Sequence, residues 1–365
     1  MILVKMERKL ASIQIVKEVK PIPGADAIEV VRINNWDVVS KKGEYKVGDF
    51  CIYCEIDSFL PIKEEFEFLR KTSYKKMSDG TEGFRLKTIR LRGQLSQGLI
   101  LPISTLEGPD EMKIGISEQP WGNQLQLGPY DNALVIKEGV DVTNLLNIVK
   151  YEPPIPAELA GKVKGLFPSF LRKTDEERIQ NLTNEYEEYK SSGKGFYVTE
   201  KLDGSSATFY FKDGEFGVCS RNLELLETEN NSFWKVAREL KLEESLSKLG
   251  FNICLQGEII GEGIQGNPYK IKGQTIKFFN AFDIDKQENI SFIKFVDIIG
   301  DLNLDTVPIL DFGFSLPETI DQLLELADKK SELNGNFDRE GIVIRSYDRK
   351  ISFKVISNKF LLNEK

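Results

Sequence analysis

Lys201 is the residue of this 365-residue chain whose setting best suits covalent chemistry. It stands in Lys201-Leu202-Asp203-Gly204, where a strand-like stretch from Tyr197 runs into a tight turn. A lysine amine is protonated at neutral pH, so it becomes a nucleophile only where burial or a neighbouring cation depresses its pKa. Flanking carboxylates such as Asp203 can recruit that cation. One short motif is weak evidence, and an exposed lysine in a β-turn is the alternative.

Five further segments set polar or charged residues into runs rich in Val, Ile and Phe. Such runs are typical of buried strands, and ionised groups are rarely buried unless they are paired or bind something. The segments therefore indicate a functional site. They are Ser220–Asn222, Leu255–Gly261, Phe278–Ile284, Arg339–Arg345 and Ile351–Ile356.

In order and spacing, the lysine segment and these five resemble motifs I, Ia, III, IIIa, IV and V of the covalent nucleotidyltransferases. That superfamily comprises RNA ligases, DNA ligases and mRNA-capping guanylyltransferases. The resemblance spans about residues 196–357. Thr174–Asn181 and Ser352–Phe360 are similar to the RNA ligases, above all to the Deinococcus- and Naegleria-type family, in which an OB domain precedes the ligase domain. The resemblance implies an ATP-dependent RNA ligase that uses Mg²⁺ or Mn²⁺.

The resemblance also implies catalytic and metal-binding roles. Lys201 is the expected nucleophile, which attacks the α-phosphate of ATP, and Lys354 is expected to bind that phosphate. Asp203, Glu258 and Glu340 resemble the carboxylates that hold a hydrated metal ion near the lysine. For Glu340 the alternative is a structural salt bridge with a neighbouring arginine of its segment, Arg339 or Arg345.

Other matching positions imply contacts with the nucleotide. Glu200 has an expected base-reading role through its backbone, and Arg221 is expected to contact the ribose or the 5′-phosphate of the substrate. Phe282 is expected to stack on adenine, with a core phenylalanine beside Ala281 as the alternative. The expected ATP and AMP contacts are thus Glu200, Lys201, Arg221, Glu258, Phe282, Glu340 and Lys354.

The chain departs from the family at motif V. Many relatives have K-x-K there, whereas this chain has Ser352-Phe353-Lys354, so either Lys350 or Lys359 supplies the second cation or its role is reduced. Three polar residues ahead of motif I are expected to line the donor pocket or contact nucleic acid, with an ordinary surface helix as the alternative. They are Arg178, Gln180 and Asn181.

Composition excludes several classes of site. The chain has no histidine, which rules out a Ser-His-Asp triad, a histidine-based zinc site and a histidine-based phosphodiesterase. The net charge of −8 argues against indiscriminate binding to nucleic acid, although a local basic groove remains compatible with it. Arg85, Lys87, Arg90 and Arg92 predict such a groove, and a solvated strand face is an equal alternative.

The four cysteines are interpreted as small packing residues in a reducing compartment. Cys51-x-x-Cys54 has no second pair, and strand positions three apart point to opposite faces, which argues against zinc. No apolar run approaches a membrane span, and the first residues lack signal-peptide architecture. We therefore expect a cytoplasmic monomer with no membrane partner.

Two blocks of elements must position these residues, which predicts an α+β protein. Residues 1–150 are predicted to be short strands of an OB-fold β-barrel, a module that binds single strands or duplex backbones; residues 104–140 are unassigned. Pro153–Pro156 marks the boundary. Residues 151–365 are predicted to be a nucleotidyltransferase domain of antiparallel sheets with flanking helices at 232–249, at 317–333 and from Thr174, where Thr174 and Glu177 form a capping box.

Three other functions compete with an RNA ligase that joins 3′-OH and 5′-phosphate ends, in nicked duplexes above all, in RNA repair. A DNA ligase or a capping enzyme normally carries its OB domain after motif V, but here eleven residues follow Lys354. A non-catalytic OB-based RNA-binding protein with a decayed transferase domain is the third. The complete set of motif lysines and carboxylates argues against it.

Overall fold

The computed structural model describes residues 9–77, 79–107, 114–119, 122–127, 134–151 and 162–363. The chain divides into two compact units, Met1–Ile155 and Pro156–Lys365. The predicted proline boundary at 153–156 lies outside the described residues. Within those residues, no helix has the length and apolar character needed to cross a membrane.

Short strands make up most of the first unit, as its alternating apolar residues and frequent turn signals predict. Among the described residues of this unit, one short α-helix, α1 (Arg70–Ser73), interrupts them. The strands are β1 (Ala11–Pro21), β2 (Ile28–Ile33), β3 (Trp36–Lys41), β4 (Phe50–Cys54), β5 (Ser58–Pro61), β6 (Tyr74–Lys76), β7 (Glu82–Arg85), β8 (Thr88–Leu91), β9 (Gln94–Gln97), β10 (Leu99–Pro102), β11 (Ile114–Gln119), β12 (Gly122–Leu127), β13 (Leu134–Val135) and β14 (Val149–Lys150).

The long strand β1 organises the first unit. Its first half pairs with β4 and its second half with β2, and the register shifts between Val16 and Glu18. Such an irregularity bends a strand and lets one sheet curl, here in the order β10-β4-β1-β2-β3. Cys51 and Cys54 lie fully buried in β4, where burial raises the pKa of both thiols. The interpretation of these cysteines as packing residues is confirmed.

The second unit combines two large sheets with helices. Its strands are β15 (Val163–Leu166), β16 (Glu177–Arg178), β17 (Phe196–Lys201), β18 (Ser205–Lys212), β19 (Glu215–Cys219), β20 (Leu223–Leu225), β21 (Ile253–Gly261), β22 (Gln274–Asp283), β23 (Glu288–Asn289), β24 (Ile309–Phe314), β25 (Gly341–Ser346) and β26 (Ser352–Ile356). Its helices are α2 (Thr183–Ser191), α3 (Ser232–Glu239), α4 (Leu242–Ser247), α5 (Phe292–Asp301), α6 (Ile320–Ala327) and α7 (Asn358–Asn363).

The helices differ from the predicted ones. The helix predicted from Thr174 is wrong, because Glu177 and Arg178 form a strand that pairs with β26 in parallel, and α2 begins only at Thr183. The helix predicted at 232–249 is broken at Lys241, whose φ of 51° is left-handed. The one predicted at 317–333 shortens to α6, which Thr319 caps. Helices α5 and α7 were not predicted.

The two sheets of the second unit form a cleft between them. The seven-stranded sheet has the order β15-β20-β19-β18-β21-β22-β23 and the five-stranded sheet β16-β26-β25-β17-β24. Phe196 and Val198 of β17 pack into a core with α2 and α6, so Lys201, which has the opposite parity, lies on the other face. That face meets the seven-stranded sheet where the Arg345 guanidinium lies 5.7 Å from the ring centre of Phe279.

Candidate active site

Lys201 is the last residue of β17, and its side chain lies on the cleft face. Antiparallel pairing with β25 places Lys201 opposite Gly341, so Glu340, the residue before that glycine, lies beside the amine. The Lys201 Nζ atom donates a hydrogen bond to Glu340 Oε2 at 2.6 Å. A Cβ atom at Gly341 would lie 2.2 Å from the Val355 carbonyl oxygen, so glycine is needed for the close approach of β25 and β26.

Three carboxylates act on the Lys201 amine. Burial favours its neutral form, but the negative charges of Glu340, Glu258 and Asp203 outweigh burial and raise the pKa of Lys201. Burial, reinforced by Glu340 and Asp203, raises the pKa of Glu258 to about 8, although Lys201 and Arg221 oppose this shift. The lysine therefore stays protonated at neutral pH until another positive charge offsets the carboxylates.

The turn after Lys201 is held from two sides. The backbone amide of Asp203 donates a 2.6 Å hydrogen bond to the hydroxyl of Tyr269, a buried residue that the sequence analysis missed. A Cβ atom at Gly204 would lie 2.4 Å from the Ile259 carbonyl oxygen and 2.8 Å from Glu258 Cγ. The signal available in the sequence was that Tyr269 is the sole aromatic residue in the Gly-rich stretch 261–273.

The carboxylates do not form a ready-made direct metal site. Within the described residues, no group of three Asp, Glu or Cys side chains is arranged to hold a metal ion. Asp203, Glu258 and Glu340 nevertheless lie near enough to shift the pKa of one lysine. This arrangement fits a cation that keeps its water shell, as Mg²⁺ usually does, better than a cation bound by three side chains directly.

Lys354 and Arg178 lie side by side among the paired residues that run across the five-stranded sheet. Lys354 pairs with Val343, and Val343 pairs with Thr199 of β17. On the other side, Arg178 of β16 pairs with Lys354. Partners in a ladder share a face, so Lys354 and Arg178 lie on the cleft face with Thr199 and Lys201.

The cation beside Lys354 on this face is Arg178. The expectation that Lys350 or Lys359 supplies the second cation, or that its role is reduced, stays a prediction. Lys350 lies in the turn between β25 and β26, at the end of the hairpin far from Glu340. Lys359 lies in α7, where its Nζ atom donates to the Asp328 carbonyl at 3.1 Å.

Gln180 and Asn181 lie in the 3-10 turn that follows Arg178. Gln180 is buried, and its Oε1 atom has no hydrogen-bond partner within the protein. The Asn181 amide donates to Glu177 Oε1 at 2.8 Å. The surface-helix alternative is therefore wrong for these residues, while their contact with a donor nucleotide or nucleic acid stays a prediction.

Phe282 lies in a buried cluster, and its predicted stacking on adenine stays a prediction. Phe282 is fully buried in a small cluster with Leu171 and Tyr210, and the Arg172 guanidinium lies 5.4 Å from its ring centre. Its ladder partner is Cys254, four residues before Glu258 along β21, a distance of about 13 Å at strand spacing. These neighbours cover the ring, which agrees with the alternative of a core phenylalanine.

Phe279 is a partly buried aromatic residue near the cleft. Its ring packs against a cluster that contains Leu202 and Tyr269, and it lies under the Arg345 guanidinium. Arg345 is held in place by Glu176, at 3.0 Å, and by the hydroxyl of Thr199, at 3.2 Å. Thr199 precedes Lys201 by two residues, about 6.6 Å along the strand, so Phe279 lies deeper in the cleft than the amine. Because Arg345 pairs with Glu176, Glu340 pairs with Lys201 instead.

Glu200 points away from the amine. Its side chain is buried on the opposite face of β17, where Oε2 accepts a hydrogen bond from the Glu332 amide at 2.8 Å. Burial raises the pKa of this carboxyl, although Ser331, the Glu332 amide and Arg339 lower it. The side chain cannot reach a nucleotide beside Lys201, and a base contact through the Glu200 backbone stays a prediction.

Arg221 lies at the rim of the cleft. It is exposed and forms a 2.6 Å ion pair with Asp175. Its charge is close enough to lower the pKa of Glu258, so the structure brings it to the same site.

The four basic residues of the first unit fall into two groups. Arg85 forms a 2.8 Å ion pair with Asp57 and lies 4.6 Å from the ring centre of Tyr151, which gives it a structural role. Lys87 is half-buried, whereas Arg90 and Arg92 are exposed on the β8–β9 hairpin. Nucleic-acid contacts of this stretch stay a prediction, to which Arg90 and Arg92 are best suited.

Comparison with known proteins finds a match for each of the two units. A model of an OB-fold domain matches residues 10–103, and a model of the RNA ligase family matches residues 194–356. A ligand-free variant of Naegleria gruberi RNA ligase is 44% identical, covers 97% of each chain and superposes with a TM-score of 0.83. The comparison with curated proteins found no match.

Ligand-bound structures of the same Naegleria ligase are equally similar. The ligase with PPi and a variant with AMP and Mn each share 44% identity, cover 97% of this chain and 98% of theirs, and have TM-scores of 0.83. The predicted α+β fold, an OB-fold domain followed by a ligase domain of antiparallel sheets with helices, is confirmed. With this identity across nearly its whole length, the chain belongs to the RNA ligase family.

Proposed function

We propose that this enzyme is an ATP-dependent ligase that joins a 3′-OH RNA end to a 5′-phosphate end through a lysyl-AMP and an adenylylated strand. The observation that carries the proposal is the Lys201 amine, 2.6 Å from Glu340 and within the field of Glu258 and Asp203, at the end of a strand that borders the cleft. The Naegleria structures with ATP and Mn, with AMP and Mn and with PPi support the same donor and cation here.

In the first step, Lys201 Nζ attacks the α-phosphorus of ATP. A P–N bond forms, the bond to the bridging oxygen breaks, and pyrophosphate leaves. The protonated amine must first lose a proton, and Glu340 Oε2 is placed to accept it. Because the carboxylates raise the pKa of Lys201, this loss needs added positive charge nearby.

Asp203, Glu258 and Glu340 would hold Mg²⁺ or Mn²⁺ through its bound water. When bound, the cation offsets the charge of these carboxylates and so favours the neutral amine. Lys354 and Arg178, on the same face, bind the phosphates and stabilise the charge that develops on them. Both contributions act by position and charge, as phosphoryl transfer requires.

Phe279 stacks on the adenine, and the Glu200 backbone contacts the edge of the base. An aromatic ring deeper in the cleft than the lysine suits a nucleotide whose phosphates lie at Lys201. Arg221, at the rim beside Glu258, then contacts the ribose or the incoming 5′-phosphate. Phe282, the predicted stacking residue, is the alternative to Phe279, and the other predicted contacts are kept.

In the second step, an oxygen of the 5′-phosphate attacks the lysyl-AMP phosphorus and the P–N bond breaks, which returns the amine. In the third step, the 3′-OH attacks the activated 5′-phosphate and AMP leaves. We infer that residues 1–150 hold the RNA, in nicked duplexes above all, while residues 151–365 perform the chemistry as a monomer in cytoplasmic RNA repair. Phosphate contacts by basic residues of an OB-fold give such binding.

Incubation with labelled ATP and Mn²⁺ tests the first step. We expect a covalent AMP adduct in the wild type and none in Lys201→Ala, which should still seal strands supplied already adenylylated. A GMP adduct formed in preference to AMP would instead indicate a capping-type enzyme. The substrate is tested on matched nicks, where a ribose at the 3′-OH side should be required. Equal sealing of all-DNA and RNA-ended nicks would refute the RNA specificity.

A further inference from the structure

The loop between β21 and β22, residues 262–273, has an unusual backbone. Six of its twelve residues have positive φ values, and three of these six are not glycine: Gln265 (46°), Asn267 (50°) and Lys270 (55°). A left-handed backbone disfavours residues other than glycine, and asparagine tolerates it best. The Asn267 side chain has a structural role, because it bonds to both backbone groups of Ile271, at 2.9 and 3.1 Å. Position 270 has a lysine, although the turn itself would favour glycine or asparagine.

This β21–β22 loop is fixed to the turn that follows Lys201. The hydroxyl of Tyr269 accepts a hydrogen bond from the Asp203 amide at 2.6 Å, and the Gln265 side-chain amide donates to the Gly204 carbonyl oxygen at 3.4 Å. Strained backbone persists only where the surrounding structure holds it, and it is concentrated at functional sites. The loop therefore keeps a defined position relative to the nucleophile.

Two lysines of the loop, Lys270 and Lys272, have exposed side chains. Among the residues that the structure describes, no carboxylate forms an ion pair with either amine. The next lysine along the chain, Lys277, pairs instead with Asp305 at 2.7 Å. Glu262 is the one acidic residue of the loop, so the loop carries a net positive charge in a protein whose net charge is −8. The two amines have no structural task and are available to an anion.

The β21–β22 loop and Arg221 lie on opposite sides of the lysine turn. Strand β18 begins at Ser205, directly after that turn, and its neighbours are β19 on one side and β21 on the other. Arg221 follows β19, while the loop follows β21, whose Ile259 pairs with Ser205. At strand spacing, the loop and Arg221 are about 12 Å apart. The two RNA ends that are joined must approach the reacting phosphate from opposite directions, so the loop lies on the approach that Arg221 does not occupy.

We propose that Lys270 and Lys272 bind phosphates of the RNA strand that carries the 3′-OH. The inference rests on the proposed function, in which Arg221 contacts the incoming 5′-phosphate on the other side of the turn. Lysine contacts with phosphates position a strand without reading its bases, so this binding is independent of sequence and weakens with salt. Because the loop is bonded to the turn after Lys201, it holds the 3′-OH in register with the phosphate that the hydroxyl attacks.

The test compares a loop variant, Lys270→Gln with Lys272→Gln, with a control variant, Lys241→Gln with Lys294→Gln. Both variants remove two positive charges from exposed positions of the same unit. Lys241 has a φ of 51°, close to that of Lys270, but it lies between α3 and α4. Lys294 lies in α5, where its amine is 5.4 Å from the ring centre of Phe251. Thermal unfolding is recorded for every variant.

Sealing is measured on a nicked RNA duplex whose 5′ end is supplied already adenylylated, so that only the last step is followed. We expect the loop variant to raise the KM for this nick about tenfold, because two exposed ion pairs are lost. The slope of log(kcat/KM) against log[salt] should become shallower by about 1.8, at about 0.9 for each phosphate contact. Lys201 adenylylation by ATP should stay within about twofold of wild type, and the control variant should stay within about twofold in both reactions.

Uncharged methylphosphonate linkages identify the strand that is bound. Placed in the 3′-OH strand next to the nick, they should raise the KM of the wild type, and this penalty should disappear in the loop variant because its phosphate contacts are already lost. The penalty of the same linkages in the 5′-phosphate strand should persist in the loop variant. A penalty that disappears only for the 5′-phosphate strand, or for neither strand, overturns the assignment.

Outcomes separate the two proposals. If the wild type neither forms an AMP adduct nor seals RNA, the proposed function itself fails. If the wild type does both but the folded loop variant seals with the KM and salt slope of the control variant, the RNA contact of the loop is refuted. If the loop variant does not fold, Lys272→Gln alone decides: a raised KM for the nick supports the contact, and an unchanged KM overturns it.

Discussion

The Tyr269 hydroxyl offers a sharp test of how the turn after Lys201 is positioned. It accepts the Asp203 amide at 2.6 Å, while its ring packs against Phe337 with centres 5.8 Å apart and lies in a cluster with Leu202. The substitution Tyr269→Phe keeps the ring and removes only the acceptor. The amide of Asp203 then loses this acceptor in a partly buried setting.

The expected magnitude follows from that single lost bond. An unsatisfied buried donor costs about 1–3 kcal/mol, so the free energy of unfolding should fall by about 1–2 kcal/mol. Freeing the turn should also misplace Lys201 relative to Asp203. Displacements of about 1 Å can cost about a hundredfold in rate. Since only one of the constraints on this turn is removed, we expect adenylylation to slow about tenfold.

Tyr210→Phe is the matched control. Tyr210 has the same burial as Tyr269, 4% exposed, and its hydroxyl donates a hydrogen bond of the same length, 2.6 Å, to Glu224. It lies in β18 and faces the Phe170 ring, away from the lysine turn. Urea denaturation should show a similar loss of stability in both variants, and single-turnover adenylylation should slow only in Tyr269→Phe. Equal adenylylation rates in the two variants would refute the positioning argument.

Three more results are expected. In EDTA, Glu258→Gln should remove a pH dependence of the free energy of unfolding. The Glu258 carboxyl has its pKa raised to about 8 in the folded protein, so its protonated form stabilises the fold fully below about pH 4.5, and this stabilisation is lost as the pH rises to 8. Between pH 5.5 and 8.0 this is at most about 3 kcal/mol by urea denaturation, and identical pH profiles would contradict it. Phe279→Ala should raise the KM for ATP about tenfold, whereas Phe282→Ala should destabilise the protein by about 3–5 kcal/mol; the reverse pattern would restore Phe282 to the site. Arg90→Ala with Arg92→Ala should weaken sealing and its salt dependence but leave adenylylation unchanged, and unaltered sealing would remove these residues from the RNA contact.

Sequence patterns identified residues that the structure brings together, because charge inside apolar strands has few structural explanations. Lys201 and Glu340 are 139 residues apart in the chain, yet each stood out as an ionisable residue at the edge of a strand-like run. The same reasoning identified Glu258 and Lys354. Local sequence marked these residues because burial makes an unpaired charge costly, whereas their roles were implied by the resemblance to the nucleotidyltransferases and stay predictions.

Local patterns failed where pairing between distant strands decides the structure. Thr174 and Glu177 form a plausible capping box, but Glu176 is needed by Arg345 and Glu177 adds a strand to β26, so the helix is displaced to Thr183. The sequence around Arg349 gave no indication of its buried contacts, because its hydrogen-bond partners lie about 70 and 150 residues away along the chain. Propensity is a weak guide when such contacts compete with it.

The choice between two phenylalanines in one motif depends on a β-bulge. In strict alternation, Phe282 and Asn280 share a face of β22 with Glu258, and Phe279 faces the opposite core. The register shifts between Gln256 and Gly257, which pair with Asn280 and Phe278, so Phe279 is the extra residue.

Bulges next to active sites redirect side chains in this way. The shift leaves Phe278 in the core behind the sheet and frees Phe279 to approach Arg345. Phe282 keeps the face that alternation assigns to it, but that part of the face is covered by Leu171 and Arg172. The sequence Phe278–Phe282 does not reveal which ring contacts Arg345, and the register of β21 against β22 makes it Phe279.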